Sequence, residues 1–99
     1  VNYNVDYFIN KFEAIPEDQW CTGTFVDPYN GSHCALGHCG VNKNSNTNWP
    51  QESLDLMKLL HNYVNVTSIN DGKDFKYQQE TPKQRILAAL KNIKETGKL

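Results

Sequence analysis

The chain has 99 residues, is 38% hydrophobic and 11% aromatic, and carries a formal net charge of −1. That length gives one domain over residues 1–99 with a single core, and the composition excludes a disordered charged tail. The longest apolar runs are a few residues, too short for a membrane-spanning helix, and no secretory leader pattern opens the sequence.

The small net charge conceals a division. Residues 1–71 hold three basic groups against eight acidic ones, a balance of −5, whereas residues 72–99 hold seven against three, a balance of +4. Such asymmetry either marks a surface for an anionic partner or is neutralised when the two parts pack together. Neutralisation within the fold is the preferred reading.

Val5, Phe8, Ile9 and Phe12 recur at helical spacing, with Asn4 placed to cap the helix and Pro16 to stop it after Ile15. Pro16 to Gln19 reads as a helical turn leading to Trp20. Residues 21–26 are rich in Thr and Phe and read as a strand. Asp27-Pro28-Tyr29-Asn30-Gly31 is turn chemistry, since Pro presets one dihedral and Asn-Gly tolerates positive φ. Ser32 to Cys34 then returns as a second strand, or Ser32 caps a helix beginning at His33. A short helix is expected over residues 34–41, its glycines allowing close packing. Residues 42–48 form a polar, Asn-rich loop.

Pro50 suits a first helical position, and the helix it opens is expected to run to Val64. Leu54, Met57, Leu60 and Val64 make one apolar stripe, and Leu56, Leu59 and Tyr63 a second. A helix apolar over so wide an arc is central to the fold, or it offers its second stripe to another chain in a homodimer through residues 54–64. Residues 66–69 read as a short strand closed by Asn70-Asp71-Gly72. Lys73 to Glu80 is a charged loop containing Phe75 and Tyr77. Thr81-Pro82-Lys83-Gln84 is a strong helix start, Ile86, Ala89, Leu90 and Ile93 face inward, and Gly97 ends the helix. The fold class expected is α+β, with three main helices around a short β-hairpin.

All three cysteines and two of the three histidines fall within residues 21–40. An odd cysteine count points to free thiols in a reducing compartment. Three chemistries compete for this segment. Cys34 and His38, four apart, would share a helix face and bind zinc with Cys21 and a fourth ligand in Asp71, although no Cys-x-x-Cys pair supports this. Cys34 at a helix start would be a nucleophile with His38 or His33 as base and Asn70 or Asp71 as orienter. The third reading is packing, with the thiols acting as small core residues.

Trp20-Cys21-Thr22-Gly23, Cys34-Ala35-Leu36-Gly37, Asn70-Asp71 and the helix over Thr81 to Leu90 resemble a loosely defined family of short bacterial and bacteriophage proteins. The resemblance spans most of the chain from Trp20 onward and implies no established activity. His38-Cys39-Gly40 departs from that pattern, where apolar residues follow Cys-Ala-Leu-Gly, so a catalytic His38 is not implied by it.

Lys83, Lys91, Lys94 and Lys98 lie along one side of the last helix, flanking its apolar face. They form a candidate anion-binding stripe, or else lay their stems along the core edge. Duplex nucleic acid is a poor fit, because the net charge is not positive and only Phe75 and Tyr77 are near for stacking. These features together are read as a small cytoplasmic, non-catalytic binding protein without a cofactor. The resemblance implies a phage- or mobile-element-associated protein, in the host cytoplasm if phage-encoded. It would inhibit a host defence component or sequester an anionic nucleotide ligand. The ligand-binding residues expected are Trp20, Cys21, Cys34, His38, Asn70, Asp71, Lys83, Lys91 and Lys94. The alternatives are a thiol-dependent enzyme using Cys34 or Cys21 with His38 and Asp71, and a zinc-stabilised module built on Cys21, Cys34 and His38.

Overall fold

The computed structural model describes residues 3–41 and 49–99, so the expected loop over 42–48 lies outside the described residues. Helix α1 spans Val5–Glu13, and the Asn4 side chain accepts the Tyr7 N–H at 2.9 Å. Its buried face of Phe8, Ile9 and Phe12 lies against the last helix. A single 3₁₀ turn at Glu17–Gln19 delivers Trp20, whose ring meets Phe12 edge-on at 5.2 Å.

The chain does reverse at the expected turn. Asp27 N–H bonds to Ser32 C=O and Gly31 N–H to Asp27 C=O, at 2.8 and 2.9 Å. No hairpin ladder follows. Among the described residues the extended pairing is limited to isolated bridges of His33 with Trp20, parallel, and with Val26, antiparallel. The expected α+β class with its β-hairpin is therefore corrected to a mostly helical globule. The physical reason lies in residues 21–26. Gly23 sits at φ +79°, and the Thr24 hydroxyl donates to the Val26 carbonyl two residues on, so the segment bends where a strand must stay extended. Its backbone groups bond to several segments in place of one partner strand.

Helix α2 is one short turn, Ala35–His38, with Cys34 and not Ser32 at its N-cap. A Cβ on Gly37 would overlap the Phe25 carbonyl oxygen, so this turn packs against the preceding loop only because residue 37 lacks one. Helix α3, Gln51–Leu59, is preceded by Pro50 as the capping residue. It stops five residues short of the expected Val64. His61 adopts φ +83°, the left-handed conformation that helices normally reserve for Gly or Asn at their C-terminus.

The chain restarts at once as helix α4, Tyr63–Asn70, with the Asn62 side chain accepting the Asn65 N–H at 2.8 Å. The strand expected over residues 66–69 is thus helical. Its β-branched residues suit a strand, but capping and burial of Val66 and Ile69 against the final helix override that preference. Helix α5, Pro82–Thr96, has the expected Thr81 cap, Pro at its start and Gly97 in the left-handed conformation after its end.

α5 is the axis of the fold. α1 and α4 pack along it, and α2 and α3 pack on α4. Phe8, Phe12, Leu36, Leu56, Leu60, Ile69, Ile86 and Leu90 fill the centre. Interrupting the helix at His61 turns Leu60 inward and leaves Val64 outside, 63% exposed. Among the described residues no helix is long and apolar enough to cross a membrane.

A left-handed conformation costs a non-glycine residue about 1–2 kcal/mol, part of which glycine's greater unfolded-state freedom takes back. His61 is exposed, so His61→Gly should stabilise the protein by about 0.5–1 kcal/mol, read as a higher urea midpoint at unchanged slope. A lower midpoint would mean that the imidazole makes a contact that matters.

Candidate functional site: a groove between the Cys34 turn and helix α4

Positions 63, 66, 67, 70 and 71 follow helical spacing, so they form one face of α4. That face lies opposite the N-terminus of α2 and the loop at Gly23 to Phe25, and the space between is a groove of about 430 Å³. At one end are Tyr63 and Phe25, with ring centroids 6.3 Å apart and Trp49 packed behind both. At the other end is Asp71. Val66, Leu36 and the Cys34 side lie between.

Asn70 builds the polar end. Its Oδ1 accepts the Ala35 N–H at 3.0 Å, and its Nδ2 donates to the Cys21 carbonyl and to Asp71 Oδ1, both at 2.9 Å. Asp71 Oδ1 also accepts the Gly23 N–H at 3.1 Å. Behind them, Arg85 is buried and donates to the carbonyls of Ile69, Asn70 and Gln79 at 3.1, 2.7 and 2.8 Å. The guanidinium thereby closes the C-terminus of α4, where the free carbonyls require donors.

The cysteines divide by environment. Cys34 is 5% exposed, and burial pushes its thiol up to about 11, against the lowering effect of the Gly37 and Leu36 backbone N–H groups. Its sulfur accepts the Gly37 N–H at 3.5 Å. Burial likewise lifts Cys39 to about 12. Cys21 is partly exposed, its thiol turned to the carbonyls of Thr24 and Ser32 at 3.4 and 3.6 Å, and burial raises it too. All three are free thiols.

Of the residues expected to form a site, Cys34, Asn70 and Asp71 meet at the groove, and Cys21 contributes its backbone carbonyl beside them. His38 does not line it. Its ring stands against Trp20 at 4.6 Å and near His33 at 5.3 Å, and its buried Nε2 has no hydrogen-bond partner among the described residues. Burial and the His33 charge lower its pKa to about 4. Asp71 orients a backbone amide and the Asn70 carboxamide, not an imidazole. Among the described residues no group of three or more His, Cys, Asp or Glu side chains is placed to hold a metal ion.

The lysines of α5 run along α1. Lys94 pairs with Asp6 at 2.7 Å, Lys91 with Glu13 at 3.6 Å, and Lys83 donates to the Glu13 carbonyl at 3.1 Å. The wall residues Thr24, Phe25, Tyr63, Val66 and Thr67 are not among the ligand-binding residues expected from the sequence, where Tyr63 stands only in an apolar stripe. Reading Asn62 as a cap would have placed Tyr63, Val66, Thr67 and Asn70 together. Comparison of the chain with protein-family models, with curated proteins and with solved structures finds no match. The chemistry of the groove is therefore the guide to function.

The buried His38 yields a prediction with a definite sign. Its folded pKa lies below the unfolded value near 6.5, so the unfolded state binds the proton first. The stability tied to the neutral ring is complete above about pH 6.5 and is lost as pH falls toward 4. Urea unfolding over that window should show the loss, and His38→Leu should flatten it. An unchanged pH slope in the variant would place the titrating group elsewhere.

Proposed function

We propose that this chain is a small non-catalytic binding protein that holds its ligand in the groove between α4 and the Cys34 turn. The observation that carries the reading is Cys34 itself. The one thiol among the described residues lining the groove is buried and kept in its neutral form. Of the two imidazoles expected as its base, His38 is turned toward Trp20, His33 stands 5.3 Å from the His38 ring, and neither lines the groove among the described residues. What lines the rest of the groove is suited to recognition: two aromatic rings, an aliphatic floor and a carboxylate.

The structure bears unequally on the two forms of ligand expected from sequence. An anionic nucleotide would need cations, but Lys91 and Lys94 have carboxylate partners on α1, and no basic side chain is among the described residues lining the groove. A small uncharged or cationic ligand, or the side chain of a protein partner, fits that lining better. Three unpaired thiols support a reducing compartment such as the cytoplasm. A phage origin is carried by the resemblance alone.

Two measurements test this reading. Native protein at pH 8 should leave Cys34 unalkylated by iodoacetamide until urea unfolds it, and Cys34→Ser, which keeps an acceptor for the Gly37 N–H, should retain ligand binding. Amide chemical shifts should respond at Gly23, Ala35 and Thr67 to at least one of phenol, benzamide, benzoate and benzylamine. Rapid alkylation of folded protein at Cys34 would favour the thiol enzyme instead. No response at these amides to any of the four would remove the groove as a binding site.

A further inference from the structure

The groove is unlike at its two ends. From Tyr63 to Asp71 the α4 face rises about 12 Å, at 1.5 Å per residue. The Tyr63 end is walled by aromatic rings, with Tyr63 42% exposed at the rim. The Asp71 end carries the one charged side chain among the described residues that line the groove. Asp71 Oδ1 is committed to the Gly23 N–H and the Asn70 amide, whereas Oδ2 has no partner among the described residues. Arg85 places a positive charge behind this end that interacts with the Asp71 carboxylate, but the donors described for it go to backbone carbonyls and it is not among the described residues lining the groove. An anion entering here would meet the Asp71 carboxylate with no basic side chain in the groove to offset it.

We propose that the groove binds a small organic amine, its ammonium group on Asp71 Oδ2 and its apolar or aromatic body along Val66 toward Phe25 and Tyr63. The inference rests on the groove being the binding site. An ammonium group is the complement of a single carboxylate oxygen left over in a partly desolvated cleft, where charge-assisted hydrogen bonds are shortest and strongest. The aromatic rings at the far end give contact for an apolar or aromatic body. The Thr67 hydroxyl is already turned back to the α4 carbonyls of Tyr63 and Val64, so the middle of the groove offers the ligand little besides apolar contact. About 430 Å³ suits a molecule of the size of an arylalkylamine.

The test compares three ligands of one shape: 2-phenylethylamine, 2-phenylethanol and 3-phenylpropionate, titrated at neutral pH and low salt while amide shifts are followed. The amine should bind at least tenfold tighter than the alcohol, the acid should not bind, and the Gly23 amide should shift most because it shares Asp71. Asp71→Asn keeps an oxygen for the Gly23 N–H and removes the charge, so it should abolish the tenfold preference. Asp71→Glu should keep part of it. Equal binding of amine and alcohol, binding of the acid, or a preference that survives Asp71→Asn would overturn the proposal. So would binding of N-acetyl-lysine methylamide in place of the arylalkylamine. Should Asp71→Asn not fold, the three-ligand comparison on the unaltered chain decides alone. A groove that takes phenol or benzamide but shows no amine preference contradicts this inference and leaves the binding reading intact. A groove that takes none of these compounds contradicts both.

Discussion

The Asn70 carboxamide, 1% exposed, joins three parts of the chain that share no ladder and no helix. Through Oδ1 it holds the first N–H of α2, and through Nδ2 it holds the carbonyl of Cys21 and the carboxylate of Asp71. A turn as short as α2 has no stability of its own, because helix nucleation is unfavourable and most of its donors lie at an end. Asn70 and the Cys34 sulfur supply acceptors for two of those donors. Removing the carboxamide would leave the Ala35 N–H buried without a partner and strip the Cys21 carbonyl of its donor. Groups orphaned in this way cost about 1–3 kcal/mol each. Against a total stability of about 5–15 kcal/mol this is a large fraction. The groove exists because Asn70 fixes both of its walls, and Arg85 in turn fixes the end of α4 from which Asn70 projects.

The charge division along the chain finds its resolution on the opposite side of α5. Acidic groups of α1 meet lysines of α5 across the largest helix–helix contact of the fold. Both pairs are about half exposed, so each adds little to stability. Pairing weakens the field that Lys91 and Lys94 present to an anion. A further tie runs from α1 to α3, where Tyr7 and Lys11 both engage Glu52. The Glu52 hydrogen bond raises the Tyr7 hydroxyl to about 12, so the donor keeps its proton over the neutral range.

Much of the helical frame was legible. Asn4, Thr81, Pro82 and Gly97 are local signals whose physics acts within one turn, and each stands where its chemistry predicts, whereas α1 ends at Glu13, two residues before the stop expected from Pro16. What failed were elements decided by distant contacts. Residues 66–69 have strand-like side chains yet are helical, because Asn62 caps them and α5 buries them. The break at His61 carries no Gly or Pro to announce it. Residues 21–26 have strand composition, but their carbonyls are claimed by Asn70, by Cys34 and by the chain itself. The candidate site followed the same rule. Cys34, Asn70 and Asp71 stood out by residue type, while Tyr63, Thr67 and Phe25 became visible only once α4 was a helix. His38 stood out as well, and its ring went to Trp20.

The central claim is that Asn70 locks a turn too short to persist alone onto the helical core. Native-state hydrogen exchange at the Ala35 amide tests it directly. That N–H has a side-chain acceptor 35 positions away and is buried, so it should exchange only when the whole domain opens, as slowly as the amides of Ile86 and Leu90 in α5. Exchange of Ala35 orders of magnitude faster than those amides would mean that α2 opens independently of the core. The groove would then not be a preformed site, and the account would be wrong at its base.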